Sequence, residues 1–366
     1  MFRLRKSALV LAAAFLLSGA AASLEGSPSC YAKACILMAE DGTVLFEKNV
    51  DERLPMASTT KLMTALVCLE TCAPDETVRI KASHCLVEGS SMYLKADVRY
   101  TVRDLLYGLL LASGNDAALA LADHVSGSAE GFVRKMNQRA VELGLRNTHF
   151  ANPHGLDSAG HFSSARDLAR LMFACMERPD FRALTSAVSA AAAGETLLNH
   201  NKLLRTCPGC IGGKTGYTSK AGRCLVSCCE REGLRLVCVT LADPDDWNDH
   251  AVLYDWAFRR FARFDLEDRI DWSVPVISGS RTSVKLRSRK PMAMVLPRDA
   301  EILLRAELPR FVFAPVKAGG TAGILRVIVQ GKVIAEAELL YAEGAVLAYP
   351  VSHFPEVPLW QSVCKS

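Results

Sequence analysis

The chain has 366 residues, too many for one small domain and about right for two. Half of its residues are hydrophobic, which supports ordinary buried cores and excludes a largely disordered protein. Removing Arg3, Arg5 and Lys6 with an N-terminal leader lowers the formal charge from +4 to +1, so no nucleic-acid partner is implied.

That leader is the first element. The three cations precede an apolar run from Ala8 to Leu17, and Ala20-Ala21-Ala22 supplies an A-x-A site. This is the order of a secretory signal peptide spanning 1–22, cleaved after Ala22. The run falls short of the roughly 20 apolar residues of a membrane span. An exported protein, in the extracytoplasmic envelope or secreted, is therefore expected. Thirteen cysteines in such a chain suggest disulfides, with at least one thiol left over. Cys207 and Cys210 have the tightest spacing. They lack a second pair for zinc and a thioredoxin-like context, so a local disulfide or free thiols are favoured. Cys35 and Cys238 sit in strand-like apolar runs and read as small core residues.

After the leader, "AKACILMAEDGTVLFEKN" reads as a hairpin turning at Asp41-Gly42. A helix from Ser58 to about Cys68 follows, with Ser58 or Thr59 as its cap on the simplest reading. Thr101 and Asp104 form a capping box before a leucine-rich helix, and Ser113-Gly114-Asn115 interrupts the pattern before a further helix. "SAEGFVRKMNQRAVELG" is amphipathic and stops at Gly144. "SSARDLARLMFACM" is a helix boxed by Ser164 and Asp167.

From Ile211 the period changes to strands: "GGKTGYT", "AGRCLVSCCE" and "LRLVCVTLAD", the last two turning at Glu232-Gly233. A helix from Ala251 closes this segment. Strands distant in sequence must then share one sheet with the helical block beside it, an α+β arrangement. Past Leu266, short strands recur between turns, including a pair at Gln330-Gly331, as in a small all-β domain. The expected domains are 23–265 and 266–353, with a tail at 354–366.

Three strings carry the chemistry: Ser58-x-x-Lys61 opening a helix, Ser113-Gly114-Asn115 between helices, and Lys214-Thr215-Gly216 starting a strand. Each alone is weak. Their order and contexts match the serine acyl-transfer enzymes of the penicillin-recognising class. Such a site needs a hydroxyl beside a base, an oxyanion hole, and a cationic anchor for a carboxylate.

With these motifs go "VEGSSMYL" at 87–94, "TVRDLLYGLLLASGNDAA" at 101–118, "NPHGL" at 152–156, "HNKLL" at 200–204 and the appended β-domain. On this set the chain resembles the low-molecular-weight penicillin-binding proteins that act as serine D-alanyl-D-alanine carboxypeptidases. The resemblance implies a β-lactamase/DD-peptidase-like catalytic domain, with an antiparallel sheet, flanking helices and a helical lobe. It implies Ser58 as nucleophile, Lys61 as its base and Ser113 as proton relay. Asn115, Lys214, Thr215, Gly216 and Tyr217 would bind the substrate, with the backbone N–H groups of Ser58 and Tyr217 as oxyanion hole. The implied ligands are peptidoglycan stem peptides and β-lactam antibiotics, with no metal or organic cofactor. The alternatives are a β-lactamase or a non-catalytic wall-binding protein.

Some details depart from the pattern. Glu195 in "ETLLN" matches the string holding the deacylating glutamate of class A β-lactamases, but lies far from Ser113 and close before Lys214, so it reads as a surface residue. The stretch from Asp243 to His250 has no arginine for the substrate carboxylate. Arg223 or another group would have to substitute, or Lys214 and Thr215 suffice. The acidic run reads as a solvated cap before the helix at Ala251 rather than a calcium loop. His149, His154 and His161 are spaced too irregularly for zinc, and "NPHGL" reads as a turn. "HFPEVPLWQSVCKS" is too short for a firm membrane anchor, so contact with a membrane is expected to be weak at most.

Overall fold

The computed structural model describes residues 28–348. The expected signal peptide and C-terminal tail lie outside the described residues. These divide into two compact units, one ending at Arg263 and the other beginning at Phe264.

In the first unit, β1 (Ala34–Ala39) and β2 (Val44–Lys48) form the expected hairpin, with Gly42 in the left-handed region. A 3-10 turn, Ala57–Thr60, runs into α1 (Lys61–Thr71). A small pair, β3 (Thr77–Arg79) and β4 (Arg99–Thr101), leads to α2 (Val102–Leu110), α3 (Asn115–Ser126) and α4 (Ala129–Glu142). Next come α5 (Ala165–Met176), α6 (Pro179–Ser186), and the hairpin of β5 (Ser189–Ala192) with β6 (Glu195–Leu198). The short α7 (Leu203–Thr206) precedes β7 (Cys210–Thr218), β8 (Gly222–Arg231), β9 (Leu234–Leu241) and α8 (Asp246–Arg260).

The main sheet has the order β2-β1-β9-β8-β7 and is antiparallel throughout. β1 is an interior strand, and all six of its residues are buried, because helices cover both faces. Its apolar run therefore shows no alternation. Both ends of the unit meet in this sheet, and the α1–α4 block packs beside it, as the separated strand signals require. β7 is an edge strand, so one row of its backbone groups is unpaired within the sheet.

Several boundaries differ from the sequence expectation. Ser58 and Thr59 do not cap α1. Thr59 and Thr60 instead donate their hydroxyls back to the carbonyls of Met56 (2.7 Å) and Ala57 (2.8 Å), which tightens the first turn to 3-10. The Thr101–Asp104 box is complete, whereas the Ser164 box is half made. Asp167 turns away to accept from Asn147 N–H and the Thr148 hydroxyl.

The last helix begins at Asp246, five residues before Ala251, so the acidic run is its first turn and not a solvated cap. Asp243, Asp246 and Asp249 are buried, and burial pushes the Asp243 carboxyl up to about 6. Asp246 and Asp249 lie where the helix N-terminus favours negative charge. Asp249 accepts from Tyr31 N–H at 2.6 Å.

The second unit carries β10 (Phe261–Asp265, which begins just before it), β11 (Ser273–Ile277), β12 (Ser283–Ser288), β13 (Ala293–Pro297), β14 (Ile302–Glu307), β15 (Val312–Phe313), β16 (Thr321–Val329) and β17 (Lys332–Tyr341). Six of these form a sheet ordered β14-β16-β17-β12-β11-β15. Gln330 and Gly331, both left-handed, close the tight β16–β17 turn. Val274, Val284, Leu325 and Leu339 anchor its core. No helix among the described residues is long and apolar enough to cross a membrane.

Candidate active site

The three motifs converge at the junction of the sheet edge and the helical block. Ser58 sits on the 3-10 turn ahead of α1. Lys61, three residues on, is fully buried and its Nζ donates to Ser58 Oγ (2.9 Å), Asn115 Oδ1 (2.7 Å) and the carbonyl of His154 (2.7 Å). Three polar partners around one amine fix its direction; when neutral it donates to two of them and turns its lone pair to the Ser58 hydroxyl. Burial pushes the Lys61 amine well below its ordinary value; the nearby Lys214 charge adds to this and Asp116 opposes it.

Ser113 is buried and left-handed (φ +61°), in the break between α2 and α3. Lys214 on β7 is also buried; its Nζ donates to Ser113 Oγ (3.0 Å) and to the Thr215 carbonyl (2.9 Å). Burial brings the Lys214 amine down to about 7. Two amines that each hold a serine hydroxyl thus stand close enough to repel when both are charged. Asn115 bridges the motifs: while Oδ1 accepts from Lys61, Nδ2 donates to the Glu88 carbonyl at 2.7 Å. Asp116 in turn accepts from the Ser91 hydroxyl and from Met92 and Leu94 N–H, which pins the "VEGSSMYL" loop beside the site.

Gly216 and Tyr217 follow on the same strand. A Cβ at Gly216 would stand 3.0 Å from Ser58 N, so the strand passes directly beside the nucleophile's backbone. The Tyr217 ring is exposed, and Thr215 is half-buried. All eight residues named from the sequence therefore belong to one neighbourhood.

The sequence reading missed the part played by "NPHGL". It is a turn, as expected, since Asn152 Oδ1 accepts from His154 N–H (3.3 Å) and Gly155 N–H (2.7 Å). That turn also presents the His154 carbonyl to Lys61, and the Pro153 carbonyl to Thr64 Oγ1 at 2.6 Å. A backbone acceptor leaves no mark in residue type. The histidines act through their rings as well. His161 Nδ1 accepts from Ala151 N–H, so Nε2 carries the proton and donates to Thr60 Oγ1. Burial brings His161 down to about 4, keeping it neutral. This chain ends at the carbonyl of Ala57, a residue held in the left-handed region (φ +47°) next to the nucleophile.

Gly155, at φ +96°, packs against that same residue, and a Cβ there would lie 2.1 Å from the Ala57 oxygen. Gly155→Ala is expected to cost about 2 kcal/mol or more of stability and to slow acylation by moving Ser58. Thermal unfolding and labelling by a fluorescent penicillin check this; unchanged values for both would sink the packing argument.

Two other sequence readings receive their answer. Glu195 is exposed on β6, as expected for a surface residue. Arg223 lies opposite Tyr217 across the β7–β8 ladder, but its guanidinium is held by Asp246 at 2.6 and 3.0 Å and lies over the Trp247 ring. The acidic run thus supplies the counter-ion of Arg223.

A hydroxyl beside a desolvated amine, a second amine–hydroxyl pair and an open strand edge define the class: a serine acyl-transfer hydrolase on an α+β fold. Residues 21–245 match the family model of D-alanyl-D-alanine carboxypeptidases, and the chain belongs to that family. The D-alanyl-D-alanine carboxypeptidase DacF of Bacillus subtilis is 32% identical, with 85% of each chain covered. DacC of Escherichia coli is 34% identical over 87% of this chain and 85% of its own. Among solved structures, penicillin binding protein 5 from Haemophilus influenzae aligns with a TM-score of 0.76 at 31% identity, covering 88% of this chain and 99% of that one.

Proposed function

We propose that this chain removes the terminal D-alanine from peptidoglycan stem pentapeptides, outside the cytoplasm, and that it is acylated by penicillins. The observation that carries the reading is the pairing of Lys61 with Ser58 at 2.9 Å and of Lys214 with Ser113 at 3.0 Å in one pocket.

In this reading, Ser58 Oγ attacks the carbonyl of the penultimate D-alanine and Lys61, neutral at the start, takes the proton. The substrate lies along the free edge of β7 as an added strand, which Gly216 permits by carrying no side chain. Lys214 and Thr215 hold the terminal carboxylate. The Ser58 and Tyr217 N–H groups receive the oxyanion. Ser113 passes a proton towards the departing amine, and water then hydrolyses the ester. Asn115, whose amide already holds Lys61 and the Glu88 carbonyl, keeps the base aimed and contacts the substrate peptide. The segment 23–265 does this work, and 266–353 spaces it from whatever it docks on, with at most loose membrane contact.

The test is D-alanine release from a pentapeptide ending in D-Ala-D-Ala, with the lifetime of the penicillin adduct measured by mass spectrometry. Release together with an adduct lasting minutes or longer is expected. Rapid turnover of penicillin without D-alanine release would replace this reading by a β-lactamase, and neither activity would leave a wall-binding protein.

A further inference from the structure

All twelve described cysteines carry free thiols. Most, such as Cys224 and Cys228, are packed as small apolar residues whose thiols burial pushes up. Three are arranged differently. Cys207 and Cys210 flank a tight turn in which Cys210 N–H donates to the Cys207 carbonyl at 3.1 Å, with Pro208 and left-handed Gly209 at its corners.

The two thiols do not face only each other. Cys207 Sγ lies 3.8 Å from Cys229 Sγ on β8, and Cys210 is the cross-strand neighbour of Cys229 in the β7–β8 ladder. Cys229, fully buried, is the centre of the group; Cys207 is buried and Cys210 half-buried. Of the two readings open from the sequence, a local disulfide or free thiols, the structure has free thiols, with Cys229 on the next strand beside them.

The surroundings favour reactivity at Cys207. The Arg231 guanidinium lies 3.8 Å from its sulfur and is steadied by the Pro208 carbonyl at 2.9 Å. Donation from the Cys229 thiol, then Arg231, brings Cys207 down to about 7 against its burial. The thiols of Cys30, Cys35 and Cys238 also adjoin, but there the pKa values are driven up, which keeps them protonated.

We propose that Cys207, Cys210 and Cys229 form a thiol–disulfide exchange site that ends in a Cys207–Cys229 bridge when the protein meets a disulfide oxidant. The Cys210 thiolate, the most accessible, attacks the oxidant disulfide and expels one thiolate. Cys229, whose thiol burial pushes up, first passes its proton to the Cys207 thiolate 3.8 Å away; it then attacks Cys210 and releases the second oxidant thiolate, which takes that proton back from Cys207. Cys207 attacks Cys229, and Cys210 leaves as a free thiolate. Two protein thiols become one disulfide, and the oxidant disulfide becomes two thiols, so electrons and protons balance. The bridge ties β8 to the segment entering β7, the strand that bears Lys214.

The experiment treats the mature protein with oxidised glutathione, alkylates the remaining thiols, and maps the peptides by mass spectrometry. The expected product bridges Cys207 to Cys229 and alkylates Cys210. Cys207→Ser should stop at a Cys210–Cys229 bridge, and Cys229→Ser should show no bridge within the group. Cys210→Ser should form the same final bridge about tenfold more slowly, because the accessible entry thiol is gone. Three alkylated thiols after exhaustive oxidation, a Cys207–Cys210 bridge, or a bridge confined to Cys35 and Cys238 would each overturn the proposal. Should Cys229→Ser fail to fold, Cys207→Ser alone decides between a shared centre and an isolated turn disulfide.

Discussion

Lys61→Arg is expected to slow acylation of Ser58 by about 1,000-fold or more, the scale of losing a general base. The Lys61 amine is fully buried, and its own depressed affinity for protons lets it start neutral beside the hydroxyl. A guanidinium stays protonated under all working conditions, so it can neutralise but cannot accept the proton. It is also larger, and could perturb the packed pocket, so Lys61→Met serves as the partner variant. Methionine leaves Asn115 Oδ1 and the His154 carbonyl without their donor, at roughly 1–3 kcal/mol for each group. Removing a buried amine offsets part of that. Rapid mixing with a fluorescent penicillin gives the acylation rate, and circular dichroism confirms folding. Ser58→Ala should form no adduct at all. A folded Lys61→Met protein that acylates within threefold of the parent rate would remove Lys61 from the mechanism.

Lys214→Met should change both the rate and its pH dependence. Losing the cationic anchor should lower kcat/KM for a carboxylate-bearing peptide by about 100-fold, since a charge-assisted contact to a buried anion is lost. The pH profile carries the sharper information. In the parent protein the acid limb reports Lys61, which must be neutral to act. The alkaline limb reports Lys214, which must be charged and whose value lies at about 7 in the free protein. The Lys214 charge is the second cause, after burial, of the lowered Lys61 value. Deleting it therefore raises the Lys61 pKa, leaves less neutral amine at a given pH, and moves the acid limb to higher pH. The alkaline limb should disappear with the group that produces it. Profiles of kcat/KM from pH 5 to 10 for both proteins test this; an unmoved acid limb would show that the two amines do not communicate.

Both expectations depend on features with unequal visibility in the sequence. Ser58 and Lys61 are brought together by motif spacing, because i and i+3 on a helical turn must be neighbours, whereas Ser113 and Lys214 are named through the family resemblance that the motif set carries. The hairpins at Asp41-Gly42, Glu232-Gly233 and Gln330-Gly331 were equally legible, since tight turns demand left-handed residues. Harder to read was anything set by packing at a distance. The start of α8 moved from Ala251 to Asp246 because three aspartates find buried places there, contrary to the habit of acidic residues. The Ser164 box lost its second half because Asp167 had better partners in Asn147 and Thr148, twenty and nineteen residues away.

The sequence by itself marked the main helices and hairpins through local periodicity and turn chemistry, and its motif set carried the resemblance that named the family and the candidate site residues. Tertiary structure alone decided how those side chains are held. The Lys61 amine is aimed by a carbonyl of a turn 93 residues away, and Cys207 meets Cys229 on the neighbouring strand. The reason is physical: a backbone carbonyl is the same group in every residue, and sheet register pairs positions that no local pattern connects. Desolvation of the two lysines belongs to the same category, since burial is a property of the packed whole.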